Sequence, residues 1–278
     1  MQSLYLFFFA LSKILITQII GVLGVFFAFG FLLSKIQSLT QSLYLRSIGW
    51  KGILWTAWIG TPIHEGGHYL LAKLFRHHIE SVHLFEPDKE SGGLGQVNHS
   101  FNPKSGYQRI GNFFIGAAPL IVGSGVLALL LKFLVPNGLE VLTALKVSAF
   151  SISNIIQSLN DVISILFNPS NFSSWQFWLF VYLSFCVCSH LAPSSEDQKG
   201  MWKGFAWLVL LLALVNGVFL LFKTDITAYI LSVNQYLGFF VSIFLYALFI
   251  SVIHFLAAYV LLYPLSVLRR RRFRNFYF

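Results

Sequence analysis

The sequence predicts an all-α integral membrane protein of about six transmembrane helices, with a small β-hairpin insertion and an amphipathic interfacial helix. Apolar runs of membrane length recur from end to end of the 278 residues, each near the ~20 residues a helix needs to cross about 30 Å of hydrocarbon. Charged residues make up 10% of the chain and apolar types 56%, against about 25% charged in an ordinary soluble domain. The formal charge of +9 would fit a nucleic-acid partner, but Arg269-Arg-Arg-Arg-Phe-Arg274 directly follows the last apolar run. That is a positive-inside signature, with the lipid bilayer as its contact and no nucleic acid implied. Cys186 and Cys188, two apart, point to different helix faces and imply no disulfide framework.

Three regions follow from the order of the runs: residues 1–51, a first span and link; 52–200, a core; and 201–278, two C-terminal spans and the basic tail. The opening run Leu4 to Leu33 exceeds a signal-peptide core and has no basic segment before it, so it reads as a retained span. Ser34 to Lys51 is a polar link. The second span covers about 52–75, with a kink or break expected at Pro62. From Arg76 to Arg109 the chain turns polar, and alternating runs at 81–85 and 95–101 predict a hairpin over 79–101. Its edge suits either pairing with an extended substrate or a purely structural role. His77, His78, His83 and His99 match no ligand spacing and read as exposed or interfacial.

The third span, Gly111 to Val135, carries small residues at 111, 116, 117, 118 and 123 that allow close packing on the second. Val141 to Phe167 has apolar residues at 152, 155, 156, 159, 162, 163 and 166, a helical spacing that predicts a helix lying in the interface rather than a seventh span. Spans at about 175–192, 202–222 and 231–262 complete the six. With the basic tail inside, both termini are cytoplasmic, in a multi-pass protein of the cell (inner) membrane.

The second span contains His64-Glu65-Gly66-Gly67-His68. Two imidazoles four apart lie on one helix face and can grip one Zn²⁺, and Glu65 is then placed as general base for a water at the metal. A charged Glu and two His at membrane depth need a reason. A catalytic zinc site takes three protein ligands, so one more is required from elsewhere. Asp197, Glu196 and His190 are the candidates.

On His64-Glu65-Gly66-Gly67-His68 and the later Pro193-x-x-x-Asp197, the chain resembles the site-2 protease family of intramembrane zinc metalloproteases. That family pairs its His-Glu-x-x-His helix with a distant Asn-x-x-Pro-x-Pro-x-x-Asp-Gly segment whose Asp completes the zinc site. The resemblance covers about residues 52–200, and Gly116-Ala-Ala-Pro119 is similar to a patch of the family's central span. It implies His64, His68 and Asp197 as metal ligands, Zn²⁺ as cofactor, and a membrane protein as substrate. The pattern departs at several points: His190 stands where the family has Asn, the second Pro is missing, the Asp comes one residue early, and Gly200 follows it by three.

In the Asn position, His190 is expected as a second catalytic residue donating N–H to the developing oxyanion. It is alternatively a zinc ligand in place of Asp197, or a satisfied core histidine. The function implied is a zinc-dependent intramembrane endopeptidase. The rivals are a non-proteolytic zinc-binding membrane scaffold and a metal or ion transporter, the latter disfavoured by the few acidic residues in apolar segments.

Overall fold

The computed structural model describes residues 2–145, 152–222 and 227–274. Its elements are almost all helices. Among the described residues three are long and apolar enough to cross a membrane, at Leu4–Ser47, Ser195–Leu221 and Val241–Val267, and a bent pair makes a possible fourth. These helices mark the chain as membrane-associated.

α1 (Gln2–Gln18) and α2 (Gly24–Ser47) join through a π-helical turn at Ile19–Leu23. The stretch from Ser34, expected as a link, stays helical to Ser47. Its hydroxyls explain this, because Ser38 donates to the Ser34 carbonyl at 2.8 Å and Thr40 to that of Ile36 at 2.9 Å, so polar side chains are satisfied within the helix. At the π turn, Gln18 exchanges hydrogen bonds of 3.2 and 2.7 Å with Asn216.

α3 (Trp50–Leu74) runs unbroken through Pro62, where a kink or break was expected. Only one backbone bond is lost there, and the adjacent turn is packed hard: a Cβ on Gly60 would come within 2.2 Å of the Cys186 carbonyl. After α3 the hairpin forms from β1 (His78–His83) and β2 (Gln96–Ser100), antiparallel, with Val82 opposite Val97 and a register shift between Ile79 and Ser81.

The third apolar run is not one straight helix. α4 (Gly106–Gly116) and α5 (Ala118–Leu134) meet at Ala117 with a bend of 55°. Pro119 is the cause, since it has no N–H to give the Ile115 carbonyl one turn back. The small residues there serve two neighbours. Gly67 of α3 lies close to the Ala118 carbonyl, 3.2 Å from where a Cβ would stand, whereas a Cβ on Gly116 would lie 2.4 Å from the Asp197 carbonyl.

The segment 141–167 is not a single helix either. α6 (Gly138–Ala144) and α7 (Ile152–Leu166) fold together, and Ser158 donates to the Ala144 carbonyl at 2.7 Å. Val162 and Leu166 are buried, while Ile156 and Ile163 of the expected apolar face are exposed; the side chains of Ile152 and Ile155 lie outside the described residues.

A short turn of helix, α8 (Pro169–Phe172), leads into α9 (Trp175–Cys188), whose 14 residues fall short of the expected span. α10 (Ser195–Leu221) and α11 (Thr227–Arg274) follow. The side chains of the Arg269–Arg274 tail lie outside the described residues. α10 packs on α4, α11 on α2, and α3 is gripped by α5 and α9. Phe26, Phe113 and Phe244 meet edge to face in the shared core, at centroid separations of 5.8 and 5.4 Å.

Candidate metal centre

His64, Glu65 and His68 lie on α3, with Glu65 and His68 buried. Each imidazole is oriented by a main-chain carbonyl from another segment. His64 Nδ1 is 2.7 Å from the oxygen of His190, in the turn after α9, and His68 Nδ1 is 2.8 Å from that of Ile115. The Ile115 carbonyl is the one Pro119 leaves without a helical donor. A carbonyl only accepts, so both Nδ1 atoms carry a proton, and in the neutral rings both Nε2 atoms are bare.

Those bare atoms face each other at 3.2 Å. Asp197 closes the triangle, with Oδ1 at 3.2 Å from His68 Nε2 and Oδ2 at 3.5 Å from His64 Nε2. Three lone-pair donors pointed at one spot repel one another unless a shared cation, or a proton on one Nε2 bonded to Asp197, lies between them. The spacing fits one: bonds of about 2.0–2.1 Å to a tetrahedral ion put ligand atoms roughly 3.3–3.4 Å apart. Among the described residues this is the one group of three or more His, Cys, Asp or Glu side chains so arranged.

Asp197 is held by its own helix. Ser194 caps α10: its hydroxyl accepts from the Asp197 N–H at 3.2 Å, and Asp197 Oδ2 accepts from the Ser194 N–H at 2.7 Å. This reciprocal box ties the carboxylate to position three of the first turn. Of the rival ligands, Glu196 is exposed and turns to Lys199 at 2.6 Å. His190 gives the centre its main-chain carbonyl rather than its ring.

The His190 ring borders a cavity of about 390 Å³ shared with His64, Glu65, Gln37 and Gln198. Ser189 Oγ donates to the Cys186 carbonyl at 2.9 Å and accepts from His190 Nδ1 at 3.0 Å. The Cys186 carbonyl also lies 3.4 Å from that nitrogen. His190 Nε2 is therefore bare, and it is buried with no hydrogen-bond partner. In neutral form this nitrogen is a buried acceptor, not the oxyanion donor that was expected.

A second cavity, of about 400 Å³, shares His64 and Glu65 with the first and is lined further by His68, Asp197, Asn112, Val97 and His99. β2 thus forms a wall of the site. His77 and His99, expected as exposed or interfacial, are instead buried and half-buried, and their Nδ1 atoms are 3.0 Å apart. Phe101 stacks on His77 at 5.3 Å. Burial holds the His77 ring below the usual imidazole range; burial and the neighbouring His77 and His68 bring His99 down to about 4. The alternation at 95–101 held the signal, because it puts Val97 and His99 on one strand face; which face turns inward is settled only by pairing with β1. His78 and His83 do not join the site.

Comparison of the chain with known protein families, with curated proteins and with solved structures finds no match, and the centre rests on its own geometry.

Proposed function

We propose that the chain is a zinc-dependent endopeptidase that cuts membrane-embedded or membrane-adjacent proteins, in the manner of the site-2 protease family it resembles. One observation carries the reading: both Nδ1 protons are committed to carbonyls, so in the neutral rings two bare Nε2 atoms and the Asp197 carboxylate converge at 3.2–3.5 Å beside a buried Glu65. Two imidazoles and one carboxylate suit Zn²⁺ and leave a position open. Bound there, the ion would polarise the scissile carbonyl and make water nucleophilic at neutral pH.

The chain's own part is positional and acid–base. Glu65 takes a proton from the attacking water and returns it to the leaving amine nitrogen. Glu65 reaches both cavities, so a peptide can lie across the motif with an end in each. Helical backbone is already hydrogen-bonded to itself, so a substrate helix must unwind before its carbonyl is accessible. In this reading six spans enclose the centre, α3 and α9 among them, with both termini cytoplasmic.

The test is Glu65→Gln in the zinc-loaded protein reconstituted in liposomes. The amide preserves shape and the metal ligands but removes the base, so zinc content should match wild type while cleavage of an unwinding-prone membrane peptide disappears. Equal processing by both proteins would favour a zinc-binding scaffold and refute the proposal.

A further inference from the structure

The hairpin histidines form a directed chain that ends in the cavity. Gln108 is on α4, and its carbonyl lies 2.9 Å from His77 Nε2. A carbonyl cannot donate, so His77 Nε2 carries the proton and its Nδ1 is bare in the neutral ring. The 3.0 Å contact from that atom to His99 Nδ1 then needs its proton from His99. Neutral His99 is left with a bare Nε2, which makes no hydrogen bond among the described residues, on a ring lining the cavity that holds Glu65, His68 and Asp197. The opposite direction would require an imidazolium at His77, which is 5% exposed and has its pKa lowered by burial.

We infer that His99 is a substrate-binding residue whose Nε2 accepts a hydrogen bond from an N–H of the peptide held at the metal centre, its ring fixed in that tautomer by His77 and the Gln108 carbonyl. The inference rests on the endopeptidase reading for its ligand class. A peptide suits the position because an extended chain carries N–H donors that need acceptors once water is excluded. Asp197 and Glu65 serve the metal and the attacking water. The hairpin wall supplies a neutral acceptor that neither competes for the metal nor adds negative charge.

The experiment uses the full chain in nanodiscs, zinc-loaded, with a tripeptide hydroxamate as probe, since a hydroxamate chelates the ion while its amides occupy the peptide path. His99→Asn puts an amide N–H where Nδ1–H stands, keeping the bond to His77 and so the docking of the hairpin, but removes the acceptor at Nε2. His99→Gln places an amide oxygen near Nε2. His99→Asn should keep zinc stoichiometry and thermal stability and bind the hydroxamate about 3- to 10-fold more weakly, the range for one neutral hydrogen bond; His99→Gln should recover part of the loss.

In ¹⁵N spectra of the free protein, His99 Nε2 should resonate as an unprotonated nitrogen and move when the probe binds. Wild-type affinity in His99→Asn, a protonated Nε2, or no binding of the probe to the zinc-loaded wild type would each overturn the inference. If the probe binds and His99→Asn weakens it while no peptide is ever cleaved, the endopeptidase reading fails and the acceptor stands.

Discussion

Gly204→Ala should dismantle the metal centre without touching a ligand. A Cβ at position 204 would stand 2.0 Å from the Phe113 nitrogen and 2.8 Å from the Asn112 carbonyl carbon, where ordinary contact begins at 3.4 Å. The shortfall is 3.4 − 2.0 = 1.4 Å, and backbone rather than a flexible side-chain end is in the way. α10 must therefore retreat from α4 by on the order of 1 Å, an overpacking penalty of about 1–3 kcal/mol. Asp197 is two turns earlier on the same face, and its carbonyl already limits Gly116. Shifting its carboxylate by on the order of 1 Å against bonds of about 2 Å should weaken zinc by 10- to 100-fold or more.

Gly200→Ala is the control on the same helix. Its Cβ would meet only the Asn112 oxygen, at 3.8 Å, and should be neutral or slightly stabilising. Competition with a chromophoric chelator reads the zinc affinity, and thermal unfolding in detergent reads the fold. Wild-type affinity in Gly204→Ala, or equal damage from Gly200→Ala, would refute the argument that close approach of α10 positions the third ligand.

Asp197→Ala should lose zinc and activity together, and Glu196→Ala should keep both, by metal analysis; Asp197→Asn still accepts from the Ser194 N–H, so it should retain stability yet bind zinc more weakly. The hairpin should loosen in acid. His77 and His99 have lowered folded-state values, so the folded form binds fewer protons, and docking is full above about 6.5 and lost as pH falls toward about 4. The His99 shift alone, discounted for its half-exposed ring, is worth about 1–2 kcal/mol. Exchange protection of the Val82 and Val97 amides should follow that window, and a flat profile would count against it. Asn216→Leu alone should cost about 1–3 kcal/mol by stranding Gln18, while Gln18→Leu with Asn216→Leu should recover most of it in unfolding titrations.

Short-range chemistry was legible in the sequence. Two histidines four apart need only a helix to share a face, and the hairpin runs showed their alternation. Asp197 is 129 residues beyond His68 in the numbering, and spacing alone left it level with Glu196 and His190 until the resemblance favoured it. The capping box fixes Asp197 at the third position of α10, because a Ser at 194 takes its reciprocal partner at 197. What stayed hidden depends on long-range pairing. The His77–His99 contact exists only once β2 returns along β1. Polar composition at 34–47 hid a helix, since hydroxyls that bond back one turn carry no outward sign of it. Pro119 was visible, but that it would bend the span and release a carbonyl to His68 required knowing where α3 lies.

Asp197 answers to two masters, a helix cap and the histidine pair, and on the zinc reading this would make metal exchange a conformational event. The carboxylate would not swing freely aside from an ion, because Oδ2 is also latched to the Ser194 N–H at 2.7 Å. Swinging the carboxylate away from a bound ion would loosen the first turn of α10, and its return would rewind it. Occupancy and the winding of that turn would then be coupled. A filled site should protect the Asp197 amide from solvent exchange, and a sequence change that weakens the cap should shorten the residence time of the ion without altering any ligand.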